Sequence, residues 1–362
     1  MLLYGANGYT GRLIVAEAVR RGLAPVLAGR DRAAIETLAR HHGLPCRVVA
    51  LDDAQALAEA VRGSGAVLHA AGPFVRTARP MLEACLAERV HYLDITGEIE
   101  VFERVFRLDA RARAAGVALL PGAGFDVVPS DGLALKLKER LPAATHLDLA
   151  FVSEGGKWSR GTLATMIESI DRGGAERRDG RLVPVPPAAD GFFLALPTGR
   201  RYVVQIPWGD VATAWRTTGI GNLRTFAGMP PRTARRLRRA RPLFALAGWT
   251  PVRRLLQALV RATVSGPDER MRREARMELW GRAWDAASGR SVEAGLATPE
   301  GYAFTAIAAV ECARRIEAGE LAPGAWTPAG AFGSGFAASL PGVLAREFPV
   351  SALAGAGALS AA

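Results

Sequence analysis

Through the first third of the chain, apolar runs of strand length alternate with stretches of helical spacing. Leu2-Leu3-Tyr4 predicts a buried strand and residues 12–21 a helix. Pro25–Ala28 predicts a second strand, residues 32–42 a second helix, and Arg47–Leu51 a third strand that ends in Asp52. Ala54, Leu57, Ala58 and Val61 follow at helical spacing, then a fourth strand at Gly65–Ala70 and a helix at 77–88. Val90–Leu93 and Val117–Leu120 predict strands five and six, with Val101, Val105, Leu108 and Ala112 marking a helix face between them. This alternation predicts an α/β domain of the Rossmann type, a doubly wound parallel sheet. Only four residues precede Gly5, short for such a strand, which leaves room for a translation start upstream of Met1.

After Pro129 the pattern changes. Leu133–Leu141 is helical, His146–Glu154 alternates as a strand, and Gly161–Ile167 opens a helix that ends near Gly173-Gly174. The polar stretch 173–191 holds one short strand, Leu182–Val185. Phe193–Leu196 and Tyr202–Ile206 flank a hairpin turn at Pro197–Arg200, and Met277–Asp285 pairs with Val292–Ala297 around Ala287-Ser288-Gly289. Tyr302–Ala318 is a strong helix. Residues 1–128 therefore read as the dinucleotide domain. Residues 129–362 read as an α+β substrate and dimerisation domain with a mostly antiparallel sheet, frayed at 350–362.

Chemistry enters at the first strand-to-helix turn, Gly5-Ala6-Asn7-Gly8-Tyr9-Thr10-Gly11. Glycines there permit backbone angles that a Cβ forbids and let a pyrophosphate approach the main chain at a helix N-terminus. The second strand ends in uncharged Gly29, followed by Arg30 and Asp31. An arginine at this tip suits a ribose 2′-phosphate, whereas Asp31 suits the N-cap of the next helix, so NADP(H) is favoured over NAD(H). Asp52 is placed to meet the adenine edge, and the small residues Ala71, Gly72 and Pro73 let the fourth strand end pass close to ribose and nicotinamide.

Composition changes the picture little. The formal charge of +11 is carried almost wholly by arginine, since lysine occurs only at 136, 138 and 157. Such usage reflects genome composition and does not indicate nucleic-acid binding. One dense segment stands apart. Arg232–Arg241 is followed by Leu243, Phe244, Leu246 and Trp249 and then by Val252–Val260, a pattern that suits a membrane interface or an anionic acyl carrier contacted through 232–260. No apolar run reaches spanning length and no signal peptide precedes the first strand, so the expected location is cytoplasmic with membrane contact. Cys46, Cys85 and Cys312 are scattered core thiols, and no metal-ligand spacing occurs.

The motifs quoted so far, with Ala71-Gly72-Pro73-Phe74, Tyr92-Leu93-Asp94-Ile95-Thr96-Gly97-Glu98 and Pro121–Asp131, resemble the saccharopine dehydrogenase-like oxidoreductases. Ser159-Arg160-Gly161-Thr162, Ile206–Asp210, Thr298–Tyr302 and Trp326–Ala329 are similar to the trans-acting enoyl reductase branch of that family. The resemblance implies action on unsaturated lipid or polyketide intermediates, and a homodimer. A saccharopine-like C=N substrate, or a non-catalytic NADP-binding redox sensor, stays open. A dicarboxylate substrate would want Arg76 and Arg79.

Candidate catalytic groups lie on the loops after strands five and six. Tyr92, Thr96 and Ser130 carry hydroxyls, Glu98 or Asp126 would serve as an acid if burial raised its pKa, and Asp94 completes the set. None of the tyrosines has a lysine four residues on, so the pair used by short-chain dehydrogenases is missing, and no G-x-S-x-G elbow exists.

Overall fold

The computed structural model describes residues 1–155, 159–168, 173–241, 249–264 and 266–347. Leu243, Phe244, Leu246 and the tail 350–362 lie outside the described residues. The first part runs β1 (Leu2–Tyr4), α1 (Tyr9–Arg20), β2 (Val26–Gly29), α2 (Arg32–His42), β3 (Cys46–Val48), α3 (Ala54–Val61), β4 (Ala66–His69), α4 (Phe74–Ala87), β5 (His91–Asp94), α5 (Ile99–Arg107), α6 (Asp109–Ala115) and β6 (Ala118–Leu120). Its strands pair in parallel, in the order β6-β5-β4-β1-β2-β3. Both β1 and β4 are buried throughout, as strands covered on two faces must be. Asp31 caps α2 by accepting from the Ala34 N–H at 3.1 Å, and Asp53 caps α3 in the same way at 2.9 Å.

The second part begins with α7 (Val128–Arg140), β7 (His146–Glu154), α8 (Arg160–Glu168), β8 (Gly174–Arg178), β9 (Arg181–Val185), β10 (Gly191–Leu196) and β11 (Gly199–Gln205). It continues with α9 (Asp210–Thr218), β12 (Asn222–Gly228), α10 (Pro231–Arg239), α11 (Thr250–Thr263), α12 (Glu269–Glu274), β13 (Arg276–Trp284) and β14 (Ser291–Pro299). Then come α13 (Gly301–Glu317), β15 (Gly324–Ala325), α14 (Pro328–Phe332), α15 (Phe336–Ser339) and β16 (Leu344–Glu347). The second sheet is ordered β10-β11-β12-β7-β13-β14-β16, with the β8–β9 hairpin attached to β12. All its pairings are antiparallel except β7 with β12.

Three expectations need correction. The third strand stops at Val48, so Asp52 stands in an exposed turn and not at a strand end. The helix expected through Ala112 breaks into α5 and α6. Residues 173–191 hold two paired strands where one was expected. The missed strand β8 carries Glu176 and Arg177, whose local partners Arg178 and Gly180 are joined by tertiary ones. Arg177 donates to the Val211 carbonyl at 2.6 Å and to Glu103 at 2.9 Å, and Gln205 donates to Glu176 at 2.9 Å. The turn itself is Asp179-Gly180, both at positive φ, the pairing that a two-residue hairpin needs.

The chain ends by returning to its beginning. Helix α13 packs against α1, and Arg21 ties them by bonding Glu17 at 2.6 Å and Glu311 at 3.0 Å. β15 then adds a seventh parallel strand beside β6. One apolar core therefore runs from Leu3 and Ile14 through Phe304 and Cys312 to Leu137, Leu147 and Leu279. Phe304 is fully buried, with its ring edge-on to Phe125 at 6.2 Å. Phe304→Ala is expected to lower unfolding free energy by about 3–5 kcal/mol in urea denaturation, and a loss below about 1 kcal/mol would show that the two sheets do not share this core.

Candidate active site

The glycine turn has the shape that its composition implies. Gly5 sits at φ +85°, and a Cβ there would lie 2.9 Å from the Ala71 backbone nitrogen, so β1 and the end of β4 approach as closely as main chains can. A Cβ on Gly11 would lie 2.2 Å from the Gly5 carbonyl oxygen, which fixes α1 hard against the turn. Gly8 is the N-cap of α1 and is exposed, and no side chain caps the helix. The first turn of α1 is thus left for an anion. A Cβ on Gly29 would lie 3.0 Å from Ile35 Cδ1 and 3.3 Å from Asn7 Oδ1. Arg30 is exposed directly after it, while the Asp31 carboxylate is engaged by its own helix. The tip of β2 therefore presents a guanidinium and no uncommitted carboxylate, which fits a 2′-phosphate. Arg30 and Asp52 both lie near enough to the Tyr4 hydroxyl to act on it electrostatically.

A cavity of about 380 Å³ opens at the carboxyl ends of β4, β5 and β6, the crevice where such sheets bind ligands. Its floor includes Thr10, Ala70, Gly72, Phe74, Ile95, Gly97, Glu98, Phe125 and Asp126, and its roof includes Ser159, Thr162, Met166 and Glu168 of the α8 region with Trp208, Tyr302 and Thr305. Of the six candidate catalytic residues, only Glu98 and Asp126 line it. Tyr92 is fully buried and donates to Asp94 Oδ2 at 2.7 Å. Asp94 Oδ1 accepts from the Thr96 and Gly122 N–H groups at 3.0 and 2.9 Å. The Thr96 hydroxyl accepts from the Glu98 N–H at 3.1 Å, and Ser130 is buried and donates to the Val127 carbonyl at 3.1 Å. These four build the loops and are withdrawn as proton donors. Burial raises the Asp94 carboxyl to about 6, against the pull of its three donors.

Glu98 has a distinct task. Its two oxygens accept from the Phe74 and Val75 N–H groups at 2.7 and 2.8 Å, so the carboxylate stands at the N-terminus of α4 where the helix dipole favours negative charge. Asp126 is the contrast. Its carboxyl packs on Gly97, where a Cβ would come within 2.4 Å of Asp126 Oδ2, and it makes no hydrogen bond among the described residues. Burial, reinforced by the negative charge of Glu98, raises it to about 7. Three contacts hold its loop: the Phe125 N–H donates to Thr305 Oγ1 at 3.0 Å, Trp208 Nε1 donates to the Asp126 carbonyl at 2.8 Å, and the Ala123 N–H donates to the Asp94 carbonyl at 2.7 Å.

The roof is tied down by side chains without an assigned role at sequence level. Tyr302 accepts from the Ser159 N–H at 2.6 Å and shares a bond with Thr162 at 2.7 Å, and its ring meets Tyr9 edge-on at 5.0 Å. Tyr9, expected at the cofactor turn, donates to the Pro267 carbonyl at 2.7 Å and receives Arg272 at 3.1 Å. Glu168 gathers Arg76 at 2.6 Å, Gln257 at 3.0 Å and Arg253 at 3.5 Å. Burial alone would raise this carboxyl, and those partners bring it below its ordinary value. Arg76 is thus committed to α8, and Arg79 is exposed. Among the described lining residues there is no arginine, lysine or histidine. The signal for Ser159, Thr162, Trp208 and Tyr302 was present in the motifs that carried the family resemblance; Glu168 and Thr305 gave none.

Comparison with known proteins agrees with this geometry. Residues 1–120 match the family model of the saccharopine dehydrogenase NADP-binding domain. An Arabidopsis thaliana protein named "probable mitochondrial saccharopine dehydrogenase-like oxidoreductase" is 31% identical over 248 residues, covering 60% of this chain and 55% of that one. The trans-acting enoyl reductase of Mycobacterium tuberculosis is 26% identical over 200 residues, covering 51% of this chain and 48% of that one. The chain thus spans about half the length of these curated relatives. Apo saccharopine dehydrogenase (L-Glu forming) of Saccharomyces cerevisiae superposes with a TM-score of 0.62 at 11% identity, over 90% of this chain and 93% of that one, a likeness of fold. Residues 1–120 are thus similar to a saccharopine dehydrogenase NADP-binding domain, in a chain similar to the saccharopine dehydrogenase-like oxidoreductases over 60% of its length.

Proposed function

We propose that this chain is an NADPH-dependent oxidoreductase that reduces a C=C (enoyl) bond of an apolar lipid or polyketide-type substrate, with Asp126 as the proton donor. The observation that carries this reading is the Asp126 carboxyl itself, held at about 7 in a cavity beside the cofactor turn with no hydrogen bond among the described residues. The chemistry that the bound cofactor supplies is hydride. Hydride addition to a polarised double bond leaves negative charge on the substrate, and a proton must be delivered to quench it. A carboxyl titrating near neutrality gives that proton and regains it from water. Phe74, Ile95, Phe125, Met166 and Trp208 offer the substrate an apolar wall.

The C=N alternative would use the same acid, but a dicarboxylate would need cationic partners. Arg76 is taken by Glu168, and no basic side chain is among the described lining residues, which supports the uncharged, apolar substrate. A pure redox sensor has no need of such a cavity.

Two outcomes test the reading. Asp126→Asn is expected to lower kcat by roughly 10²–10⁴-fold with NADPH and an enoyl thioester, and to abolish a limb of the wild-type profile in which activity falls as pH rises through about 7. The sign for stability follows from the same shift. A carboxyl raised in the folded state contributes stability that is full below its unfolded pKa and lost as pH rises through about 7. The variant should therefore gain in Tm relative to wild type at pH 8 and not at pH 4. An unchanged pH–rate profile would remove Asp126 from the chemistry. Arg30→Ala should raise KM for NADPH by roughly ten- to a hundredfold, the worth of a charge-assisted phosphate contact, and leave KM for NADH nearly unchanged. Equal effects on both cofactors would refute the phosphate role.

A further inference from the structure

Helix α11 carries apolar residues on both sides. Its partly buried side holds Leu256 and Val260 together with Arg253 and Gln257, which bond Glu168 of α8. The face turned to solvent carries Pro251, Leu255, Ala258, Leu259 and Ala262, spaced at i, i+4, i+7, i+8 and i+11, a single stripe of a 3.6-residue helix. Leu255 is 70% and Leu259 58% exposed, and Trp249, just before the helix, is 67% exposed. A helix whose apolar side faces water in the isolated chain has that side covered by something else. Single exposed leucines are ordinary; an aligned stripe opposite an inward-facing arginine is not.

The charge beside the stripe says what covers it. Arg254 is exposed on the same helix, next to Leu255, and the preceding α10 exposes Arg232, Arg235, Arg236 and Arg239. Other arginines of that dense segment turn inward: Arg238 donates to the Ala188 carbonyl at 2.8 Å and Arg241 to the Pro187 carbonyl at 2.8 Å. The exposed remainder adds to a chain of net charge +11. An apolar face about 21 Å long, flanked by guanidinium groups and headed by a tryptophan, is complementary to the headgroup layer of an anionic bilayer. No helix among the described residues is long and apolar enough to cross a membrane, so the contact lies on the surface.

We infer that α11 docks this protein on anionic lipid surfaces, with Leu255, Leu259 and Trp249 entering the acyl boundary and Arg254 meeting lipid phosphate. The docked helix is packed on α8, whose Met166 both lines the cavity and is 38% exposed, so the cavity roof lies beside the lipid contact. This inference stands on the helix face and needs no particular reaction.

The test is sedimentation of the full chain with phosphatidylcholine vesicles, with and without phosphatidylglycerol, read independently of any enzyme assay. Wild type is expected to sediment with the anionic vesicles and to stay in solution with the neutral ones. Leu255→Glu/Leu259→Glu changes exposed side chains only and should keep the wild-type Tm while losing more than about tenfold of the bound fraction. Arg254→Glu should weaken binding severalfold and reduce its salt dependence. Wild type that stays in solution with anionic vesicles overturns the proposal, as does a double variant that sediments undiminished. A wild-type dimer in light scattering that the double variant converts to monomer, with no vesicle binding, assigns the stripe to a second copy instead.

Discussion

A buried carboxylate, Asp94, holds the mouth of the cavity together. It stands at the end of β5 with no exposure to solvent and gathers the Tyr92 hydroxyl, the Thr96 N–H and the Gly122 N–H, while its own carbonyl receives the Ala123 N–H. One residue thereby joins the loop after β5 to the loop after β6. Burying a carboxyl is unfavourable unless donors surround it, and once they do, their geometry is fixed. Because those donors are mostly backbone groups, the loops take one shape, and that shape puts Glu98 and Asp126 side by side.

The two acids then divide. Glu98 spends both oxygens on the start of α4, where backbone N–H groups and the helix dipole favour its charge. Asp126, packed on Gly97, has no donor to its carboxyl among the described residues, and the negative charge of its neighbour works in the same direction as burial. Two carboxyls of nearly equal intrinsic acidity thus meet different surroundings, and those around Asp126 raise its pKa. The roof obeys the same logic at longer range. Glu168 is kept charged by Arg76 of the first part and by Gln257 and Arg253 of α11, so one ion cluster connects the dinucleotide domain, α8 and the helix that carries the apolar stripe.

The alternation of short apolar runs and helical spacing was enough to read the parallel sheet and its glycine turn, but not the end of β3, which stops at Val48. These are local properties: a short apolar run marks a buried strand, and a turn at positive φ favours glycine. The second sheet was legible where turns carry Gly or Pro, as at Pro197–Arg200 and Ala287–Gly289, and illegible at β8, whose charged residues look like a loop until Val211, Glu103 and Gln205 are brought against them. β15 escaped notice because a strand of two residues has no period.

By itself the sequence determined a Rossmann sheet, a glycine-rich turn after its first strand, an arginine beside an aspartate at the tip of β2, and a basic, apolar stretch near 250. Only the tertiary structure decided which of the candidate acids meet the cavity, because desolvation and hydrogen-bond partners depend on atoms far apart in the chain. Asp94, Glu98 and Asp126 are equal as letters; burial and partners separate them. The same holds for α11, where only the packing of Arg253 and Gln257 against Glu168 shows that the stripe of Leu255 and Leu259 looks outward.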